Sequence, residues 1–281
     1  MRSHIWTRLL AWFLLVSLLP TVSVAYVAYR FAAAELRDTI TDSLVATAND
    51  RARNIEAFFQ ERERDVTVLA LDPTVGEGLA QLHAAFEGHG VESDAYQEAD
   101  DQYRDFLTHL AETYGYHDLF LIGPDGTVVF TVIHEADFGT NLHTGPYRET
   151  QLAHVFENAC TLLETGVSDF EMYEPSGVPA AFLAAPVLRD GKLGGAIALQ
   201  LGTSRIHALV ADHTGLGETG ETVLAAKQGA IATFIAPTRH DPNAAFSRTV
   251  ETDVEVDLPL SQALLGHRGS GISTDYRDQE V

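Results

Sequence analysis

The sequence predicts an α+β protein: an N-terminal transmembrane helix and a long stalk helix, followed by two antiparallel-sheet units. Three features lead to this reading. A run of 21 uncharged residues lies near the N-terminus, about 40 residues of helical periodicity follow it, and from Tyr116 onward the pattern changes to short β-rich runs divided by glycine turns. A length of 281 residues suits one or two domains. With 46% hydrophobic and 21% charged residues the chain has ample material for a core, which excludes wholly disordered or collagen-like architectures. The net charge of −22 excludes a nucleic-acid partner, because phosphate binding needs clustered Lys and Arg. One cysteine, Cys160, makes neither an intramolecular disulfide nor a multi-cysteine metal site.

The uncharged run extends from Leu9 to Tyr29, between Arg8 and Arg30. As a helix it spans about 31 Å, the thickness of a bilayer core. Trp12, Tyr26 and Tyr29 sit near its ends, where amphipathic rings favour the interface, and Pro20 is tolerated in a membrane helix. A cleaved signal peptide ending at Ser23-Val24-Ala25 is the alternative, but signal h-regions usually run only about 7–15 residues. Arg2 and Arg8 precede the span and Arg30 and Arg37 follow it, so the positive-inside bias is slight; the short N-tail is expected to stay in the cytoplasm while the long acidic remainder is exported.

Phe31 to Leu71 reads as one helix, with Leu36, Ile40, Leu44, Ile55, Phe58, Phe59, Val66 and Leu69 on an apolar stripe that needs a partner, either the folded body or a second protomer. Residues 75–113 read as shorter helices around a polar loop, 87–93. Strands follow at 117–122 and 127–133, joined by Gly123-Pro-Asp-Gly126, then a loop at 138–146 and a helix at 148–163. Three more strands, 167–173, 180–188 and 193–201, and a helix at 204–212 complete a PAS-like plan. A second round begins at Gly220: strands at 221–226 and 230–235, a polar stretch at 238–253, a helix at 260–265 and a strand at 272–276. It is expected to be incomplete, and the chain to be a fragment.

Several motifs are discounted on chemistry. Gly215-Leu-Gly-Glu-Thr-Gly220 is a literal dinucleotide fingerprint, but it follows a helix and opens a strand, the reverse of the required order, and Glu221 would repel a phosphate. His134-Glu135 lacks a second His four residues on. No Gly-x-Ser-x-Gly occurs. Cys160 is expected to be a small buried hydrophobe. No catalytic residue, metal or cofactor is expected. The rival class is a membrane-anchored exported enzyme, which would need a convergent nucleophile, base or metal set.

The chain resembles the extracytoplasmic double Cache region of bacterial transmembrane receptors, a family that includes methyl-accepting chemotaxis proteins, sensor histidine kinases and cyclase-linked receptors. The resemblance rests on Tyr116-His-Asp-Leu-Phe-Leu-Ile122, Phe130-Thr-Val-Ile-His-Glu135, Asp137-Phe-Gly-Thr-Asn-Leu142, Gly145-Pro-Tyr147, Asp169-Phe-Glu-Met-Tyr-Glu-Pro-Ser176, Pro179-Ala-Ala-Phe182 and Gly215-Leu-Gly-Glu-Thr-Gly-Glu-Thr222. It implies a cytoplasmic tail at 1–8, a span at 9–29, a stalk at 30–72, a membrane-distal sensor unit at 73–213 and a membrane-proximal unit at 214–281. It also implies a bacterial inner-membrane location with the sensor in the periplasm or outside the cell, a homodimer, and a small-molecule ligand or a ligand-loaded binding protein as partner. A chemotaxis receptor is the first expectation for the output, a histidine kinase or nucleotide-cyclase receptor the alternative.

In the family the ligand lies between the sheet and the loop-helix layer of the distal unit. Tyr116, Asp118, Phe130, Tyr147, Arg148, Asp169, Tyr173, Ser176 and Phe182 are the candidates for that position. Arg148 would pair a ligand carboxylate, and Asp118 and Asp169 an ammonium. Each has a structural alternative as a turn, surface or core residue. The Arg-x-Trp-[Phe/Tyr] pattern of the amino-acid-binding branch is absent, so carboxylates, amines and other small solutes remain open.

Overall fold

The computed structural model describes residues 2–253 and 258–280. Helix α1, Arg2–Ala70, unites the expected span and stalk without a break and contains Pro20. The chain divides at Asp50/Arg51 into two units. In the first, Leu9, Trp12, Phe13 and the apolar residues up to Tyr29 are exposed. Among the described residues α1 is the one helix long and apolar enough to cross a membrane.

The second unit begins with the end of α1, followed by α2 (Pro73–His89) and α3 (Asp94–Tyr114). Their boundaries are written in the sequence. Asp72 caps α2 by accepting from Thr74 N at 2.7 Å, with Pro73 at the first helical position. Ser93 caps α3 by accepting from Tyr96 N at 3.2 Å, and Gly115 ends it in the left-handed conformation (φ 73°) that a glycine adopts without strain.

Strands β1 (Asp118–Ile122), β2 (Val128–Thr131), β3 (Gly166–Val167), β4 (Glu171–Tyr173), β5 (Val178–Arg189) and β6 (Lys192–Gly202) form one antiparallel sheet. Its order is β2-β1-β6-β5-β3, with β4 also on β5. Alternation along the strands gives the sheet two different faces. Leu119, Leu121, Val129, Phe130, Leu183, Ile197 and Leu199 pack with residues of α1–α3. Phe120, Ile122, Val128, Phe182 and the alanines Ala180, Ala184, Ala196 and Ala198 pack with α4 (Gln151–Leu162). The alanines leave room for Leu152, Val155 and Phe156 of α4 to sit close to the strands.

The structure departs from expectation at several points. The expected strand 167–173 is two strands, broken at Ser168 to Phe170, because Ser168 turns its hydroxyl to accept from Phe182 N at 2.8 Å. Helix α4 starts at Gln151 behind the Thr150 cap, not at Arg148. His134 lies beyond the end of β2, in the left-handed region (φ 59°).

After α5 (Ser204–Ala211), the Gly215 to Gly220 segment is a run of turns, with φ 81° at Gly215 and φ 66° at Gly217. A second antiparallel sheet follows, β7 (Ala225–Gln228), β8 (Ile231–Phe234) and β9 (Thr249–Glu251), with α6 (Pro259–Leu264). Its hairpin turns at Gly229-Ala230, so β7 begins four residues later than expected. Residues 272–276 form no strand, only an isolated Thr274–Glu280 bridge. The free edge of β8 is taken by β9, from the polar stretch that the sequence reading left without a strand. Tyr276 instead anchors the segment, its hydroxyl donating to Glu221 Oε1 at 2.6 Å and its ring packing edge-on to Phe234.

Candidate functional site: a buried acidic cluster on the first sheet

The register of the central strands places Asp118 opposite Gln200, and Gln200 opposite Phe182, in one row across β1, β6 and β5. This row lies on the α4 face, in line with Phe120. Asp118 is fully buried. Its Oδ1 accepts from Leu119 N at 2.7 Å and Val132 N at 2.8 Å, so the chain leaving β2 folds over it. That chain carries Glu135 and Asp137. Asp137, also fully buried, accepts from the Tyr173 hydroxyl at 2.5 Å. Tyr173 stands edge-on to Phe182, with ring centroids 4.7 Å apart. Gln200 Nε2 donates to Ser176 Oγ at 3.2 Å, and the Ser176 hydroxyl donates to Tyr173 O at 3.4 Å. A hydrogen-bonded chain thus runs from Gln200 through Ser176 and Tyr173 to Asp137. Asp118 is paired to Gln200 in strand register and lies within the electrostatic reach of Asp137; these residues are called the ring below.

Four residues in or on this ring hold a buried acceptor oxygen with no hydrogen-bond partner among the described residues: Asp118 Oδ2, Glu135 Oε2, Asp137 Oδ1 and Gln200 Oε1. A buried group left without a partner costs about 1–3 kcal/mol, so four in one place are expensive for the unliganded fold. The electrostatics agree. Burial pushes the Asp118 carboxyl up to about 7, against the pull of the Leu119 and Val132 amides, and the Asp137 charge raises it further. Burial also raises Asp137, and burial with the Asp137 charge raises Glu135. Burial and the Asp137 charge hold the Tyr173 hydroxyl protonated, which makes it a donor. His117 approaches Glu135 at 3.7 Å. The chemistry offered is an excess of acceptors beside an aromatic wall.

Of the nine residues singled out in the sequence, Asp118, Tyr173, Ser176 and Phe182 meet here. Tyr147 is half-buried at the edge of the same apolar cluster. Tyr116 and Phe130 face the opposite layer: the Tyr116 hydroxyl donates to Asp65 of α1 at 2.9 Å, and the Phe130 ring lies 4.7 Å from the Arg104 guanidinium. Arg148 is exposed and paired with Glu149, since it falls before α4. Asp169 is exposed in a separate groove of about 460 Å³, bordered by Glu63, His154 and Asn158. Cys160 is half-buried, its thiol pushed up to about 11 by desolvation. Sequence reasoning passed over Glu135, Asp137 and Gln200. A glutamine interrupting the apolar run Ala196-Ile-Ala-Leu-Gln-Leu201 was the available signal.

No protein-family model matches the chain, and no curated protein matches it. Solved structures do. The sensor domain of the V. cholerae histidine kinase DctB superposes with a TM-score of 0.51 at 14% identity, over 84% of each chain. The chain shares the fold of that domain. The ligand-binding domain of the Pseudomonas fluorescens chemoreceptor CtaA, solved with L-serine, aligns at 14% identity and a TM-score of 0.47 over 75% of this chain and 77% of that one. An extracellular ligand binding receptor from Desulfohalobium retbaense aligns at 15% identity and a TM-score of 0.48, over 83% of this chain and 35% of its own. Within this fold, the acidic cluster is buried on the α4 face of the first sheet.

Proposed function

We propose that this chain is the ligand-sensing region of a bacterial inner-membrane receptor, with residues 9–29 spanning the membrane, residues 30–72 as stalk, 73–213 as the membrane-distal sensor unit and 214–281 as the proximal one. The observation that carries this reading is the cluster of buried, unpartnered acceptors on the α4 face of the first sheet. Ligand sites are largely apolar with a few placed polar groups, and Phe182, Phe120 and Tyr173 beside Asp118, Asp137 and Gln200 meet that description. A ligand that satisfies the acceptors in one arrangement of sheet and loop, and not in another, shifts the balance between the two. A chemotaxis receptor is the preferred output, with a sensor kinase or cyclase receptor as the alternative. Exposed Leu36, Ile40 and Leu44 on α1 suit pairing with a second copy. The sensor region itself is read as non-catalytic.

Thermal-shift measurements on the full chain in detergent micelles, against a panel of small acids, amines and purines, test this reading. A ligand at about a hundredfold excess over its Kd adds about 2.7 kcal/mol, a Tm rise of about 5 °C or more. The expected result is such a rise with at least one compound, lost in Gln200→Leu. A panel in which no compound gives a shift would overturn the reading.

A further inference from the structure

The ring carries a more specific statement, which rests on the sensor reading above. From its donor and acceptor inventory, we propose that it binds a small organic ammonium ion lacking a carboxylate, and that the ion enters in exchange for a proton.

The inventory is one-sided. The four unpartnered atoms are all oxygens, three of them carboxylate, and the single proton that they share leaves acceptors in excess. The donors of the ring are already engaged, Tyr173 on Asp137 and Gln200 Nε2 on Ser176. An alkylammonium presents three N–H donors and one positive charge, and an apolar tail would meet Phe182 and Phe120.

A ligand carboxylate has no counterpart. Arg104, on α3 behind β2, is committed to Asp100 through two bonds of 2.6 and 2.7 Å and to His134. Arg148 is exposed. The other titratable groups facing the cluster are His117 ahead of β1, Glu171 and Glu174 around Tyr173, and Tyr147 before α4. Of these only His117 can be a cation, and it faces Glu135. An amino acid would therefore set its own carboxylate against acids.

A single metal ion is the competing occupant. Among the described residues, the one group of three His, Cys, Asp or Glu side chains whose ligand atoms all lie within 4.8 Å of each other is His83, Glu87 and Asp125, on the surface. Asp118, Glu135 and Asp137 are no such group, so a single ion, metal or ammonium, meets at most two of these carboxylates at once, and the Ca²⁺ arm of the test below decides between the two.

The exchange follows from charge. Three buried carboxylates without a facing Lys or Arg do not all ionise together, so the unliganded site retains a proton. When RNH3+ enters, its charge takes over that role and the proton leaves to solvent. The net charge of the site is unchanged. Burial holding Asp118 at about 7 sets the window in which this occurs.

Titration calorimetry on the full chain in micelles tests the proposal, with propylammonium, propionate, L-alanine and Ca²⁺ as probes. Measurement in two buffers of different ionisation enthalpy counts the protons released. Propylammonium is expected to bind, with about one proton released near pH 6 and a Kd that falls about tenfold per pH unit below 7 and levels off above it. Asp137→Asn is expected to weaken binding by about 30-fold or more and to abolish proton release. If that variant does not fold, Asp118→Asn serves, since its Oδ1 still accepts from Leu119 and Val132. Asp169→Asn, in the separate groove, is expected to bind as the native chain does.

Tighter binding of propionate, alanine or Ca²⁺ than of propylammonium, a pH-independent propylammonium Kd, or no binding of propylammonium would each overturn the proposal. The sensor reading survives any of these if a compound of another class binds and Gln200→Leu abolishes it. It falls with the proposal if the wider panel is also silent.

Discussion

The two faces of the first sheet handle charge in opposite ways. On the face toward α1–α3, each inward acid has its own cation: Asp65 is 3.0 Å from Arg62, and Asp100 is held by Arg104. Tyrosine hydroxyls there end on protein acceptors, Tyr116 on Asp65 and Tyr96 on the Val129 carbonyl at 2.6 Å. On the α4 face, Asp118 and Asp137 are fully buried with only amides and a tyrosine for company. The first face pairs its charges, with Arg62 Nε left over; the second leaves four acceptor oxygens without partners. Paired charges inside a core fix geometry, whereas each unpartnered acceptor costs about 1–3 kcal/mol until something satisfies it.

Phe182→Ala breaks the comparison most severely. The ring is fully buried between Phe120 and Tyr173, so urea unfolding should show a loss of about 3–5 kcal/mol, together with loss of any ligand-induced shift. Arg104→Met strips the first face of a cation and leaves Asp100 buried without it. A loss of about 1–3 kcal/mol is expected, allowing for the partial exposure of the pair, and ligand binding should weaken less than in Asp137→Asn.

Asp118→Asn should act in the opposite direction. Because burial raises the folded carboxyl to about 7, the folded state keeps a proton that the unfolded state releases. Stability is therefore full at acid pH and is lost as pH rises from about 4 through 7. The asparagine removes this loss, so the variant should be more stable than the native chain by up to about 4 kcal/mol at pH 8 and indistinguishable near pH 4 in equilibrium unfolding. The smallest effect belongs to Asp169→Ala, at an exposed position, within about 0.5 kcal/mol by the same assay.

How much of this was legible in the sequence depends on whether the signal was local. The helices ending at Gly115 and starting behind Ser93 carry their own caps. The Gly-Pro-Asp-Gly turn dictates the β1–β2 hairpin, with Asp125 accepting from Thr127 N at 3.2 Å. Asp118 stood out as an acid opening an apolar strand. Asp137 did not, because Asp-Phe-Gly-Thr reads equally as a turn, and its burial depends on Tyr173, 36 residues later. Tyr116 and Phe130 neighbour Asp118 and the β2 end in sequence, yet the register shift between β1 and β2, with Val128 opposite Ile122 and Phe130 opposite Leu121, turns Phe130 to the other face, and Tyr116 docks on α1. The break at Asp169 and the use of β9 as an edge strand depend on which segments pair with β5 and β8, a tertiary outcome that local pattern does not encode.

The account stands on the claim that the α4 face of the first sheet buries an acid that shares a proton until a ligand arrives. Selective carboxyl ¹³C labelling of aspartate, with NMR titration of the Asp118 signal in the full chain, measures that state directly. The account predicts a midpoint of about 7 in the free protein and a fall into the ordinary carboxylate range on saturation with propylammonium. A free-protein midpoint already in that ordinary range, unchanged by ligand, would contradict it.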